Sequence, residues 1–414
     1  MSHTKLMKSI IQRRILTTFV AMVVVVFTSL ANDAVYFVNG SHLEPIQETD
    51  ISVKKEILTI NIGNDGFANV EVDYIFVNNG PAKWVTMGFE AMAPYNDGSV
   101  LNRKGVHPHI MDFSVVMNGK TLNYSNGVVF ATEDDDQLPK EVQDARKLGQ
   151  VFVPVDFDRW YFDEENSERL HNKQTDEYAS FAYAYYFKAN FNSGQNTVRH
   201  TYRYRLSYGV NNAFELPYWL LPAMRWANHQ IDDFTLRIQV DKCTKHFVID
   251  NAPFEGTSFK VTKGKGKIRN MVVDDFGGKS TVVEVVLRDG MLEWHRDNYR
   301  TQYNMTIQSA DCLNYSVDWG EKPKPIYYDS GPSFAWWDSY DQYYRGKGTE
   351  KQLKDFTTRI RRNLPYAHRG YVFKDAKLRS IFESQWWYMP DPSWKPNEDS
   401  FSAHEQELIK MSAE

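Results

Sequence analysis

Cysteine is nearly absent from this chain of 414 residues, which holds only Cys243 and Cys312. At most one internal disulfide can form. Long apolar runs are equally scarce: after Ile15 to Leu30, none is long enough to cross a bilayer as a helix. No cysteine stands directly after that run, so no lipoprotein-type anchor is expected. Excess positive charge is missing too. The net charge is −5, and general nucleic-acid binding needs basic surface to replace counterions. The motifs Gly-x-Ser-x-Gly and His-Glu-x-x-His do not occur. There is no repeat of fixed period and no low-complexity tract.

What is present begins with an export signal. Lys5, Lys8, Arg13 and Arg14 form a basic start, Ile15 to Leu30 is the apolar stretch, and Ser29-Leu30-Ala31 offers small residues for cleavage before Asn32. The rival is an uncleaved anchor, but the run is shorter than the ~20 residues a spanning helix needs. Loss of residues 1–31 removes four basic and no acidic residues, so the mature charge falls to −9. The protein is therefore expected in the periplasm, cell envelope or extracellular space, with no transmembrane span after cleavage. There Cys243 and Cys312 are permitted to pair, closing a loop that the chain-entropy model values at about 4 kcal/mol. Two separate buried thiols are the alternative.

From Ile51 to about Gln308 the dominant pattern is the strand, within a β-sandwich region bounded at 32–320. "FANVEVDYIFVN" places Val70, Val72, Tyr74 and Phe76 on one face. "FAYAYYFKANF" and "TVRHTYRYRLSYG", joined by "NSGQN", predict an aromatic-rich hairpin. Asn-Gly or Asp-Gly steps at Gly40, Gly66, Gly80, Gly98, Gly119, Gly127 and Gly290 predict tight turns. "YWLLPAMRWAN" predicts a buried apolar loop or half-turn. The fold expected is mainly β: an antiparallel β-sandwich region of one or two units, followed by a small helical or mixed module. "GEKPKPIYYDSGPSF" marks a linker over 321–348. Beyond it, "TEKQLKDFTTRIRRNL" is amphipathic, with Leu353, Phe356, Ile360 and Leu364 on one face, and Thr349 with Gln352 fits a capping box. Pro365 is expected to stop or kink that helix. Asp375 is placed to cap a second helix carrying Leu378, Ile381 and Phe382. The module is bounded at 349–395, with a polar tail at 396–414.

The stretch "RNLPYAHRGYVFKDAKLRSIFESQWWY" resembles the YARHG domain, a small extracellular module of bacterial proteins. The pattern is carried by Arg362, Asn363, Tyr366, Ala367, Gly370, Tyr371, Phe373, Asp375, Leu378, Phe382, Trp387 and Tyr388. The resemblance supplies no catalytic residues. The usual Arg-His-Gly order is reversed to His368-Arg369-Gly370. On a helix a one-residue shift turns a side chain by about 100°, so a catalytic imidazole would lose its geometry, and the swap favours a structural or electrostatic role. "ETDISVKKEILTI", "GFEAMAPYN" and "YWLLPAMRWANHQIDDFTLRI" resemble an uncharacterised family of exported β-rich bacterial proteins, which implies envelope location and no activity.

The ligand-binding candidates are Tyr366, His368, Arg369, Tyr371, Trp387 and Tyr388, weighed against their serving as the core of a small module. His368 is expected to be exposed and dispensable, and Arg369 to be a free charged fork. Residues 349–388 carry +5, and residues 32–320 carry −10. The basic module is expected to dock on its own acidic β region or to meet anionic envelope polymers, with a solvated charged face as the plain alternative. Other chemistry is weaker. His107 and His109 lack a third metal ligand. Glu133 to Asp136 lacks calcium-loop spacing. Asp156, Asp158, Asp163, Glu164 and Glu165 stand among Trp160, Tyr161 and Phe162, as carboxylates do in glycosidase clefts. "KGKGK" from Lys263 lacks Walker spacing and reads as a hairpin tip. No cofactor and no metal site is assigned. The function read from the sequence is a non-enzymatic, exported binding or structural protein whose partner is an anionic envelope polymer, a glycan or another envelope protein. The alternative is an envelope glycan or peptidoglycan hydrolase with its carboxylates at 156–165.

Overall fold

The computed structural model describes residues 33–39, 42–45, 50–92, 107, 109–130, 171–172, 177–178, 181–206, 213–275, 278–319, 325–326, 349–397 and 401–411. The expected signal at 1–31, the acidic loop at 133–136 and the carboxylates at 156–165 lie outside these. The strands are β1 (Asp33–Asn39), β2 (His42–Pro45), β3 (Ile51–Ile62), β4 (Phe67–Asn78), β5 (Lys83–Met92), β6 (Ile110–Met117), β7 (Lys120–Thr121), β8 (Ser125–Phe130), β9 (His171–Asn172) and β10 (Glu177–Tyr178). They continue as β11 (Phe181–Phe191), β12 (Gly194–Arg205), β13 (Glu215–Tyr218), β14 (Ile231–Asp250), β15 (Lys260–Asp275), β16 (Gly278–Tyr299) and β17 (Met305–Ser309). Three helices follow: α1 (Glu350–His368), α2 (Ala376–Glu383) and α3 (Ala403–Lys410). Among the described residues no helix is long and apolar enough to cross a membrane.

A five-stranded sheet, in the order β2-β1-β5-β11-β8, faces a ten-stranded one. The larger sheet runs β13-β17-β14-β3-β4-β12-β6-β7, with β16 and then β15 added along the other edge of β14. All its described pairings are antiparallel except β3 with β14. Alternation explains the sandwich. Val70, Val72, Tyr74 and Phe76 turn inward from β4, and Met87, Phe89, Tyr185, Phe187 and Phe191 turn inward from the smaller sheet. Rings meet across the gap: Phe89 with Tyr202 at 4.9 Å and Phe113 with Tyr185 at 4.8 Å. Trp226, from the buried loop after β13, packs on Phe76 at 4.6 Å. Such rings each contribute about 4–6 kcal/mol of transfer free energy at most.

Several local expectations are corrected. β11 and β12 do not form a hairpin, although only Asn192 and Ser193 separate them. β11 pairs with β5 and β8, while β12 pairs with β4 and β6, so the chain changes sheets at this corner. The aromatics therefore meet between sheets rather than across one ladder. Buried Asn196 ties the corner, bonding Asn192 N and O at 2.9 Å and Gly194 O at 3.0 Å. Gly66 and Gly119 do sit in turns between paired strands, but Gly127 lies inside β8 and Gly290 inside β16. The "KGKGK" run is not a hairpin tip. It lies within β15, where the register slips at Lys263.

These displaced signals share one level of the sheet. Lys242 on β14, Gly264 on β15 and Asp289 on β16 all have positive φ, at 57°, 73° and 41°. The β14–β16 register also shifts between Val240 and Thr244. Bulges in neighbouring strands bend a sheet together. Both halves of β14 and β16 give residues to the sandwich core, the far half through Phe247, Ile249, Val283, Val285 and Leu287, and the other face of that far half carries the C-terminal module. The module has its own core of Ile326, Ile360, Leu364, Ala367, Phe373, Leu378, Phe382, Trp387 and Tyr388, to which the sheet adds Val286.

Candidate functional site

The YARHG-like motif is built at the end of α1. Thr349 and Gln352 cap its start reciprocally, as the sequence predicts. The helix does not stop at Pro365; it continues to His368. Burial of Leu364 and Ala367 against the module core outweighs the lost donor. Termination comes at Gly370, whose φ is +85°. Gly370 N donates to Ala367 O at 2.9 Å, and Tyr371 N donates to Tyr366 O at 3.0 Å. That pair of bonds is a Schellman ending, and the Tyr366 and Tyr371 rings, 6.1 Å apart, make its accompanying apolar contact. A Cβ at Gly370 would lie 2.5 Å from Met389 O, so the position requires glycine for space as well as for φ.

Four of the six candidate residues are packed into the scaffold. His368, expected at the surface, is 3% exposed. Its imidazole packs tilted against Trp387, with ring centroids 4.5 Å apart, and its carbonyl accepts from Thr244 Oγ1 at 2.8 Å. Burial, reinforced by the neighbouring basic groups of His246, Arg369, Lys245 and Arg288, holds its pKa well below the usual histidine range. The ring is neutral. Arg369 is not a free fork. Its guanidinium makes two bonds to Glu405, at 2.7 and 2.8 Å, donates to Pro365 O at 3.0 Å and lies 4.4 Å over the Phe401 ring. The reversed order thus sends the imidazole toward Trp387 and the guanidinium toward α3. The expected polar tail supplies that helix: Ser402 and Glu405 form its capping box, and Phe401 and Leu408 are buried. Trp387 is 2% exposed and donates through Nε1 to Ile326 O at 2.5 Å. Tyr388 donates its hydroxyl to Tyr371 O at 2.6 Å.

Tyr366 and Tyr371 differ. Both are half-buried, and with half-buried Trp394 they form an edge-to-face cluster with centroids 6.1 to 6.4 Å apart. Phe401 backs Tyr366 at 5.0 Å. Part of each of the three side chains stays exposed.

The opposite side of the module lies on the far half of the bent sheet, whose outer face is cationic. Cross-strand register lines up Thr244, Arg288 and Lys265 in one row, His246, Val286 and Lys267 in the next, and Val248, Glu284 and Arg269 in the third. Lys267 donates to Trp386 O and Tyr388 O at 2.8 and 2.9 Å. Arg288 donates to Met389 O at 3.0 Å, and Lys265 pairs with Asp391 at 2.7 Å. Lys265 and Ser393 hold the Asp391 carboxyl below the usual carboxylate range. At the contact the charges run opposite to the net balance of the two regions. Sheet cations bind backbone carbonyls and one aspartate.

Under Trp386 lies a buried polar group. Glu284 accepts from Arg269 Nε at 2.5 Å and is 2.8 Å from His246 Nε2; Arg269 stacks 4.3 Å over the Trp386 ring. Burial works to raise the Glu284 pKa, but His246 and Arg269 prevail and hold it low. β14, β15 and β16 bring these residues together by register, which no local sequence pattern shows. The signal in the sequence is a single charged residue inside "TVVEVVL" and another, Arg269, inside "KIRNMVV".

Cys243 and Cys312 are free thiols. Cys243 belongs to the sandwich core, and Cys312 packs in a small cluster with Val248, Val273, Ala310 and Leu313. Burial pushes them up to about 11 and about 12. His107 and His109 are buried among Tyr183 and Tyr204, and His107 Nδ1 accepts from His109 N at 3.0 Å, which is a packing role. At one end of the sandwich a shallow cleft of about 670 Å³ is lined by Met224, His229, Glu255, Arg296, Arg300 and Tyr303.

No curated protein matches the sequence. Among solved structures, a Legionella pneumophila protein provisionally described as nutrient binding aligns over 92% of this chain and 96% of its own, at 15% identity and a TM-score of 0.45. An M1 zinc metallopeptidase from Deinococcus radiodurans aligns over 66% of this chain and 45% of its own, at 8% identity and a TM-score of 0.24. At such values the activity of either neighbour stays with that neighbour. The C-terminal region is different: residues 334–414 match the YARHG domain family, and the module built on α1, α2 and α3 is a YARHG domain.

Proposed function

We propose that this chain is an exported, non-enzymatic binding protein of the bacterial envelope, and that its YARHG domain offers the aromatic face of Tyr366, Tyr371 and Trp394 to a glycan. One observation carries the reading: the motif divides. His368, Arg369, Trp387 and Tyr388 are consumed by packing and hydrogen bonds inside the domain, whereas Tyr366 and Tyr371 stay partly exposed. Sugar rings stack on such aromatic surface through their C–H faces, while phenol groups serve hydroxyls. Export is supported by the N-terminal pattern at 1–31 and by the extracellular character implied by the domain match.

The test is cosedimentation of the full mature chain with purified envelope glycan, alongside Tyr366→Ala, Tyr371→Ala and Trp394→Ala. Retention of the wild type, with loss in the variants at unchanged circular dichroism, is expected. Equal retention of all four proteins, or release of soluble sugar fragments by the wild type, would sink the proposal. Cell fractionation of the natural chain tests export separately: recovery in the cytoplasm overturns it.

A further inference from the structure

On the outer face of the near half of the sheet, Asp233 of β14 stands directly opposite Asp297 of β16. His295 is two residues from Asp297, so both side chains leave the same face. Like charges directly opposite one another destabilise an antiparallel pair, and here they flank an imidazole. His295 Nε2 is 3.2 Å from Asp233 Oδ1 and 3.6 Å from Asp297 Oδ1. One ligating atom from each residue falls within 4.8 Å of the other two. Asp233 divides its carboxylate, because Lys55 Nζ from β3 binds the other oxygen, Oδ2, at 2.6 Å.

We propose that Asp233, His295 and Asp297 form a metal site for zinc or a similar borderline divalent cation. Spacing carries the argument. Two ligand atoms that each lie about 2.1 Å from a tetrahedral ion stand about 3.4 Å from each other. The two imidazole–carboxylate separations, 3.2 and 3.6 Å, bracket that value, and the ion would take the place of the proton that His295 Nε2 shares with Asp233 Oδ1. One imidazole nitrogen and two carboxylate oxygens make a three-ligand zinc set, and the exposed face leaves the fourth position to water. Calcium, which takes six to eight oxygens, fits the set poorly. Lys55 holds Asp233 from behind, fixing which oxygen faces the cluster, as groups beyond the direct ligands commonly do. The ion would relieve the repulsion of the opposed carboxylates and tie β14 to β16.

The site is separate from the aromatic face of the YARHG domain, so its test does not depend on glycan binding. Untagged full mature protein is titrated with zinc chloride by calorimetry at neutral pH, and its melting temperature is read with and without zinc. One equivalent should bind, and zinc should raise the melting temperature. His295→Ala should abolish both effects, and Asp297→Asn should weaken binding at least tenfold. Both variants should keep the metal-free melting temperature, since residues 295 and 297 are exposed. No uptake by the wild type, or one equivalent held equally tightly by His295→Ala, would overturn the assignment.

Discussion

Arg369 and Glu405 meet through two side-by-side hydrogen bonds, at 2.7 and 2.8 Å, with less than a tenth of either side chain exposed. The pair joins the end of α1 to the first turn of α3. It makes the last helix part of the YARHG domain rather than a tail.

Removal of one partner should be costly. Breaking a buried ion pair strands the other charge and typically costs about 3–5 kcal/mol. Arg369→Gln and Glu405→Gln should each lower stability on that scale in urea titration. Arg369→Lys should not rescue it, because an ammonium cannot reproduce the two-pronged fork. A loss below ~1 kcal/mol for both single variants would contradict the buried-pair reading.

Gly370→Val should unfold or loosen the domain. Positive φ costs an L-residue about 1–3 kcal/mol, and the new side chain would also press on Met389 O and Asp391 Cβ. Limited proteolysis should then cut between residues 349 and 397 faster than in the wild type. Unchanged protection there would mean that the helix end can be rebuilt another way.

His368 should give the domain a pH-dependent stability with a definite sign. The unfolded chain takes up a proton near pH 6.5 that the folded imidazole refuses, because it is buried and surrounded by basic groups. Below that pH the unfolded state holds more protons, so stability falls as pH drops from about 7 toward 5. The slope is at most ~1.4 kcal/mol per pH unit. Glu284 and Asp391 are held low, so the stability they add is present above about pH 4 and is lost only as pH falls through their depressed values. They do not contribute to the window from 5 to 7. Melting temperatures across that window should slope for the wild type and flatten for His368→Gln. Parallel slopes would assign the effect elsewhere.

Trp387→Ala should cost about 3–5 kcal/mol, since the ring is buried between His368 and Phe382 and its Nε1–H is bonded to Ile326 O. A chain ending at residue 322, by contrast, should keep a cooperatively folded sandwich. Among the described residues, the sandwich core draws on none beyond Ile307, and Val286 is the one sheet residue in the core of the YARHG domain. Loss of the β-type circular dichroism in the shortened chain would show one indivisible fold.

What the sequence determined by itself lies within a few residues of each signal. Alternation in "FANVEVDYIFVN" requires only that one face be buried, and it is. Thr349 with Gln352, Asp375 before α2, and Gly370 after α1 act through bonds to atoms three to five residues away, so they are readable in a line of text. The motif residues of the YARHG domain belong to the same class. Tertiary structure decided the rest. Asp289-Gly290 has the composition of a turn, yet it bends β16 without reversing it, because β14 and β15 pair with it on both sides. Pro365 has the composition of a helix stop, yet packing on both sides carries α1 past it. His246, Arg269 and Glu284 are 15 to 38 residues apart along the chain and meet only through strand register. Asp233 and His295 are 62 apart and do the same. A local signal sets the geometry of its own few bonds. Which distant residues share a face is set by how the sheets pair, and that free energy is spread over the whole core.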